Sequence, residues 1–146
     1  MKELIYEQIK FASTVEDVRQ SVVRLLGKLR LKDDVERIGY VSGIITSGGS
    51  IEENIQRLIA HTDRLRTIHN FPIFTPPDVF PDDVFERTNA INHPSEKWIE
   101  FWRTILESGH VTDIFMTPRW QLSRGATDEH ETAQRIGITI HYVEEE

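Results

Sequence analysis

Glu129 stands six residues after Ser123, at a place where the sequence predicts the start of a helix. Gly125 and Ala126 lie between them, and residues this small let a ligand approach the backbone closely. An apolar run around Ile114 comes before, so the segment predicts a strand, a loop and a helix N-terminus, where α/β proteins place their chemistry. Glu129 is expected in the first turn of the helix, where the dipole keeps its carboxylate ionised. A plainer interpretation is that Ser123 caps the helix and Glu129 complements its dipole.

The composition limits the classes of protein and partner. The chain has 146 residues, 38% hydrophobic and 28% charged, which is typical of one soluble globular protein with a buried core. Its net charge of −7 lies in residues 40–146, since residues 1–39 are nearly neutral. An acidic body argues against long nucleic acid as a partner. With no cysteine, no signal-like N-terminus and no membrane span, we expect a cytoplasmic protein without disulfides or a membrane partner.

Residues 1–36 are predicted to form an N-terminal helical extension, followed by an α/β domain of residues 37–146. A short first helix is indicated by Leu4, Ile5, Ile9 and Phe11. A capping box of Ser13 and Glu16 begins a second helix. Its apolar side chains repeat at helical spacing: Val18, Val22, Leu25, Leu26 and Leu29. We expect a helical hairpin packed on the main domain or on a second subunit, because a nucleic-acid-binding helix-turn-helix would be more basic.

The rest of the chain alternates between strand and helix patterns. Strands are predicted at 38–41, at 71–74, around Ile114 and at 138–143. Helices are predicted after Ser50, which forms a capping box with Glu53, after Ser95, and from about Gly125. The predicted apolar faces of the first two are Ile51, Ile55, Leu58, Ile59, Leu65 and Ile68, then Trp98, Ile99, Phe101, Trp102, Ile105 and Leu106. Residues 75–94 are predicted to form a long loop, a lid or a binding loop.

This order predicts an α/β fold of the flavodoxin-like class. The parallel sheet has about four strands with helices on both faces, and ligands bind at the carboxyl ends of the strands. Two motifs fall at these ends. The first runs from Tyr40 to Gly49 and reads YVSGIITSGG. The second reads SRGATDE from Ser123 to Glu129, with Ala133 one turn later.

Together the two motifs resemble the nucleoside 2-deoxyribosyltransferase superfamily over roughly residues 38–143. The first motif is also similar to that of the deoxynucleoside 5′-monophosphate N-hydrolases. The resemblance implies cleavage of an N-glycosidic bond through an oxocarbenium-like state, with Glu129 as the catalytic carboxylate. It also implies a substrate site: Tyr40 near the sugar, Gly43, Ile45, Thr46 and Gly48 along the sugar-phosphate pocket, and Ser123 with Gly125 near the 5′-phosphate. We expect no cofactor and no metal, and the resemblance implies a dimer or larger homo-oligomer.

One departure from the family keeps several functions open. Relatives carry an acidic residue on the helix before the third strand, and this chain has Ile105 there. Glu100 and Glu107 align only with a shifted register. The leading hypothesis is hydrolysis of a (deoxy)nucleoside 5′-monophosphate to a base and a sugar phosphate. Deoxyribosyl transfer between bases and a non-catalytic nucleotide-binding or regulatory module are the alternatives.

Other polar residues are candidates for the site. His93 is a candidate proton donor to a leaving base. Arg119 or Arg124 is a candidate partner for phosphate, although a solvent-facing arginine is equally consistent with the sequence. The run from Asp128 to Glu131 contains metal-ligand types, but consecutive residues of a helix point in different directions, so we expect no metal site.

Overall fold

The computed structural model describes residues 1–145 as an α/β fold with a four-stranded parallel sheet. In chain order the elements are α1 (Lys2–Ile9), α2 (Val15–Leu31), β1 (Gly39–Ser42), α3 (Ile51–Ile68), β2 (Ile73–Phe74), α4 (Pro76–Val79), α5 (Asp82–Arg87), α6 (Ser95–Glu107), β3 (Asp113–Met116), α7 (Arg124–Ile136) and β4 (Thr139–Tyr142). Short 3₁₀ turns lie at Ala90–Asn92 and Trp120–Leu122. Within the described residues, no helix combines the length and the apolar character that a membrane span requires.

The strand order is β2-β1-β3-β4, and each neighbouring pair is parallel. The flavodoxin-like fold predicted from the alternation of strands and helices is therefore confirmed. Tyr40 on β1 lies opposite Phe74 on β2 and Ile114 on β3. At the carboxyl edge of the sheet, Ser42 at the end of β1 lies opposite Met116 at the end of β3. The two predicted motifs therefore leave the sheet side by side.

Alternate residues of the strands point into two cores, because side chains of a strand alternate between its faces. One face carries Tyr40 and Ile114 and packs against α1, α2, α6 and α7. The other face carries Val41 and Phe115 and packs against Leu58 of α3. The sheet is thus covered on both sides, as expected for parallel strands with helical crossovers.

The N-terminal helices contribute to the larger of these cores. The predicted apolar positions Ile5, Ile9, Val18, Val22, Leu25, Leu26 and Leu29 are all buried there. Phe11 lies beyond the end of α1 and is exposed. The capping box predicted at Ser13 and Glu16 is formed by Thr14 and Asp17 instead, because the Asp17 carboxylate reaches the Thr14 N–H. Residues 1–36 therefore pack as a helical hairpin on the remainder of the chain.

Helix α3 begins where predicted, but a different row of its residues is buried. The Ser50 hydroxyl accepts a hydrogen bond from the Glu53 N–H, so only half of the predicted capping box is present. The predicted apolar face is wrong at both ends, since Ile51 and Ile68 are 52% and 65% exposed. The buried row consists of Asn54, Leu58, Thr62 and Leu65. Its two polar members are both hydrogen-bonded to backbone carbonyls.

The prediction of a long loop at 75–94 is wrong, because this segment folds into α4, α5 and a 3₁₀ turn. Helix α1 and the residues just after it are hydrogen-bonded to this segment. The Tyr6 hydroxyl donates to Asp83 at 2.7 Å, and Arg87 donates to two backbone carbonyls at and just beyond the end of α1. The segment is therefore packed against the N-terminal helices and does not form an open lid.

Helix α6 begins at Ser95, the residue predicted to cap it. Pro94 is the residue before the first turn, and Ser95 is already helical, so it caps nothing. The apolar face is otherwise confirmed, with Phe101, Trp102, Ile105 and Leu106 buried and Trp98 half-buried. This face anchors α6 against the larger core beside the site.

Candidate functional site

Glu129 is a buried carboxyl near the carboxyl edge of the sheet. It is only 6% exposed, and its Oε1 accepts a hydrogen bond of 2.8 Å from the Ser42 hydroxyl at the end of β1. Helix α7 begins at Arg124, so Glu129 lies in its second turn, not in the first turn as predicted. The helix dipole acts mainly within the first turn. Burial and hydrogen bonds therefore control this carboxyl.

Burial raises the pKa of Glu129 from its ordinary value of 4.5 to about 7. Loss of water disfavours the charged form and outweighs the interactions with the Ser42 and Tyr40 hydroxyls, which lower the pKa. The expectation that the dipole keeps Glu129 ionised is thus wrong. Near neutral pH the carboxyl populates both its protonated and its ionised form, a property typical of functional carboxyls.

Tyr40 faces the same carboxyl from the same side of β1 as Ser42. Its ring packs on Phe74 and Trp102, with ring centroids 5.2 and 5.7 Å apart. Burial, followed by the charge of Glu129, raises the pKa of Tyr40 well above its ordinary value. The hydroxyl interacts with Glu129, yet it has no hydrogen bond of normal geometry among the described residues. A buried hydroxyl without a hydrogen-bond partner is uncommon, and this one faces Glu129 inside the protein, since Tyr40 is fully buried.

Ser123 and Gly125 complete the surroundings of Glu129. The Ser123 hydroxyl accepts a hydrogen bond of 3.1 Å from the Ala126 N–H, so the predicted helix cap is present. A Cβ placed on Gly125 would lie 3.9 Å from Glu129 Oε2 and 3.9 Å from Ser123 Oγ. Glu129 Oε2 and the serine hydroxyl therefore both lie next to the position that a side chain at Gly125 would occupy.

Gly43 lets the loop after β1 approach the end of β3. A Cβ at Gly43 would collide with the Thr117 hydroxyl, so a larger residue would displace Thr117. Thr117 donates its hydroxyl and its N–H to the Ser42 carbonyl, at 2.9 and 3.0 Å. Ser42 thus connects Thr117 on one side to Glu129 on the other.

A cleft of about 280 Å³ lies between the loop after β1 and the loop after β3. The lining residues with polar or backbone groups to offer include Gly48, Gly49, Asn54, Arg57, Thr117 and Arg119. Arg57 and the exposed loop backbone are suited to an anion, whereas Arg119 is paired with Glu145, which also lines the cleft. Thr117 lines the cleft and bonds to Ser42, which bonds to Glu129. Ser42 thus links the cleft wall to the carboxyl, although Glu129 itself does not line the cleft.

The other residues predicted from the first motif remain in the loop. Ile45 packs its half-buried side chain towards the smaller core, and Thr46 is exposed. Gly48 lines the cleft with a left-handed φ of 62°. Of these three residues only Gly48 lines the cleft, and as a glycine it offers a ligand its backbone alone.

The remaining candidate side chains have partners within the described residues. Arg124 pairs with Glu96 at the surface, at 2.6 Å. His93 packs edge-on against Trp98, and burial lowers its pKa. Arg119, which lines the cleft, forms an exposed ion pair of 3.3 Å with Glu145. Within residues 1–145, no group of three or more His, Asp or Glu side chains is arranged to hold a metal ion.

Helix α6 brings no described carboxylate to Glu129. Ile105, which stands where relatives carry an acid, is fully buried in the core. Glu107 pairs with Arg135 at 2.7 Å, and Glu100 is exposed. The acidic neighbour Asp128 is held by Arg103 through hydrogen bonds of 2.6 and 3.1 Å.

Sequence reasoning missed Ser42, Thr117 and Asn54. Ser42 could have been found, because it lies two residues after Tyr40 and so shares its face of the strand. Thr117 and Asn54 act through contacts with residues of other segments. No local sequence pattern predicts that they belong to the site. Comparison of the chain with protein families, with curated proteins and with solved structures finds no match. Its function is therefore inferred from the residues of the site.

Proposed function

We propose that this protein is a nucleotide N-glycosidase that hydrolyses a (deoxy)nucleoside 5′-monophosphate to a free base and a sugar phosphate. The observation that carries the proposal is the buried Glu129 carboxyl, with its pKa raised to about 7 and one oxygen held by Ser42. The likeness of the Tyr40 and Ser123 motifs to the nucleoside 2-deoxyribosyltransferase superfamily supports it. Neither observation alone specifies the reaction, but both point to chemistry by a carboxylate at the same edge.

Glu129 acts as the nucleophile in this proposal. Its Oε2, the oxygen not held by Ser42, attacks C1′ of the sugar. The bond from C1′ to the base nitrogen breaks, and its electron pair leaves with the base, which takes a proton from solvent. Water then attacks C1′ of the glycosyl ester, gives up a proton and releases the carboxylate. Attack requires the ionised carboxylate, so the rate rises with pH through about 7.

The cleft beside Glu129 takes the 5′-phosphate. Phosphate oxygens accept hydrogen bonds from loop N–H groups and form charge-assisted bonds with arginine. Gly48, Gly49 and Arg57 offer such groups on the walls of the cleft. Ser123, which the family resemblance assigns to the phosphate, lies on the Glu129 side.

Two alternatives remain distinct from hydrolysis. A transferase would pass the sugar from Glu129 to a second base instead of to water. A non-catalytic nucleotide-binding module is favoured by one observation: Ile105 is buried where relatives carry an acid. Both alternatives use the same residues as the hydrolase, so the three functions are distinguished by the products that the protein forms.

The test is incubation of the purified protein with matched nucleosides and 5′-monophosphates, with and without an acceptor base, followed by chromatography of the products. We expect free base from the monophosphates, released at least about 100-fold faster than from nucleosides, because the phosphate contacts are lost in the latter. Formation of a new nucleotide with the acceptor base would identify the protein as a transferase and not a hydrolase. Binding of nucleotide without release of any base would support the non-catalytic nucleotide-binding module.

Gly125→Ala is expected to raise stability while it lowers activity. Alanine is the better helix former by about 0.5 to 1 kcal/mol, and its Cβ would meet no atom closer than 3.9 Å. The added methyl group would fill the space between Glu129 Oε2 and Ser123 Oγ, where the proposal places C1′ of the sugar. Thermal unfolding and base-release rates measure the two effects. Equal activity in the variant and the wild-type protein would contradict this placement.

The setting of the reaction is also part of the proposal. We infer a small-molecule substrate, and the absence of cysteine from all 146 residues suits a reducing compartment, the cytoplasm. A homodimer or larger homo-oligomer is expected by resemblance to the family. Light scattering of the purified protein measures the number of subunits.

A further inference from the structure

Asn54 is a buried amide on α3 around which the loop after β1 is folded. It is 3% exposed, and its Nδ2 lies 3.0 Å from the Ile45 carbonyl, 3.3 Å from that of Ser47 and 2.9 Å from that of Gly48. An amide nitrogen carries only two hydrogens, so one of them must be shared between two of these three carbonyls. One side chain thereby binds three carbonyls of the loop.

The hydrogen bonds from Asn54 to these carbonyls also fix the direction of the loop N–H groups. In a trans peptide, the C=O of one residue and the N–H of the next point in opposite directions, and the described chain contains no cis peptide. The N–H groups of Thr46, Gly48 and Gly49 therefore point away from the Asn54 amide nitrogen. They have no acceptor within residues 1–145. Gly48 and Gly49 adopt left-handed φ angles of 62° and 72°, which favour glycine.

The other end of the same amide holds an arginine. Asn54 Oδ1 accepts a hydrogen bond of 2.6 Å from Arg57, one turn further along α3. Arg57 lines the cleft, and no carboxylate pairs with it in the described part of the chain. Its described partner is a neutral amide, so its charge remains available to an anion. The same contact fixes which end of the Asn54 amide faces the loop.

We propose that Asn54 is the positioning residue of the phosphate site. Its amide nitrogen sets the loop with unpaired N–H groups, and its amide oxygen sets Arg57 on the cleft wall, so that both bind one phosphate group together. The inference rests on the proposed function for the identity of the phosphate ester, but the site itself binds phosphate without turnover. Asn54 contacts neither the sugar nor the reacting atoms.

The experiment titrates the intact protein with inorganic phosphate and follows the backbone amide signals of Gly48 and Gly49 by NMR. We expect these signals to move in the wild-type protein. Arg57→Ala should weaken phosphate binding about tenfold, the scale of one charge-assisted contact, and Asn54→Ala should weaken it further because it releases the loop as well. Because the loss of Asn54 already releases Arg57, the double variant should bind phosphate no more weakly than Asn54→Ala alone, and the two losses should not multiply.

Thr62→Val is the matched control. Thr62 is buried on the same helix, but its hydroxyl bonds only to the Leu58 carbonyl, one turn earlier. It should keep the phosphate affinity of the wild-type protein even if it lowers stability. Wild-type affinity in Asn54→Ala, or losses that multiply in the double variant, would overturn the proposal. Should Asn54→Ala fail to fold, unchanged phosphate binding by Arg57→Ala, an exposed position, would overturn it equally.

Failure of this inference is distinguishable from failure of the proposed function. Phosphate binding that depends on Asn54, in a protein that releases no base from any nucleotide, would uphold the positioning role and remove the glycosidase. Base release with unchanged KM in both the Asn54→Ala and Arg57→Ala variants would uphold the glycosidase and remove the positioning role. In active protein we expect these variants to raise KM more than they lower kcat, because the phosphate lies away from the reacting atoms.

Discussion

The Glu129→Gln variant is expected to gain about 3 kcal/mol of stability relative to the wild-type protein as the pH rises from 4 to 8. The folded-state pKa of Glu129 is raised from 4.5 to about 7, so the native state holds this proton more tightly than the unfolded chain. The stability contributed is complete below pH 4.5 and is lost as the pH rises through 7. Glutamine keeps an acceptor for Ser42 and never ionises, so it avoids this loss.

Denaturant unfolding of both proteins across this pH range measures the effect. The difference between the two unfolding free energies isolates Glu129, because the other ionisable groups are common to both. Glu131→Gln, which removes the same charge from an exposed position of α7, serves as the control and should follow the wild-type curve. A difference between Glu129→Gln and the wild-type protein that stays constant from pH 4 to pH 8 would contradict the raised pKa.

The same variant is expected to lose at least about 1000-fold in kcat for base release, as nucleophile substitutions do. The amide oxygen of glutamine is a poor nucleophile and cannot be regenerated from a glycosyl adduct by the same route. Its shape and its contact with Ser42 are retained, so KM should change little. Initial rates over a range of nucleotide concentrations separate the two constants.

Glu131→Gln again provides the comparison, since it lies two residues further along the same helix. Its kcat should stay within about twofold of the wild-type value, because surface substitutions have small effects. Comparable losses in both variants would attribute the effect to the charge of α7 and not to attack by Glu129. Retained turnover in Glu129→Gln would remove this residue from the mechanism.

The architecture was predictable from the sequence because it depends on local patterns. Short apolar runs alternate with helical periodicity, and that alternation is sufficient to predict a parallel sheet with helices on both faces. Ser123 was identified as a helix cap because its position and its neighbours within four residues define the cap. Predictions failed where one residue decides between adjacent positions, as at Thr14 and Asp17 in place of Ser13 and Glu16.

The state of the site was not predictable, because it depends on burial by distant segments. Local reasoning placed Glu129 in a helix dipole and expected an ionised carboxylate. Its environment is set instead by Ser42 and Tyr40, which lie 87 and 89 positions away in the chain and meet it only after the sheet and α7 pack. Asn54 escaped notice for the same reason, since an asparagine outside the predicted apolar face of the helix has a role only once the loop folds over it.

The central claim, attack on C1′ by Glu129, is tested most directly by the configuration of the product. Hydrolysis of a deoxynucleoside 5′-monophosphate in the presence of methanol would trap the sugar as a methyl glycoside, whose anomer proton NMR assigns. Two successive displacements through a Glu129 ester predict the β-anomer, the configuration of the substrate. The α-anomer would show a single displacement by solvent, with Glu129 acting as a base, and would contradict the account.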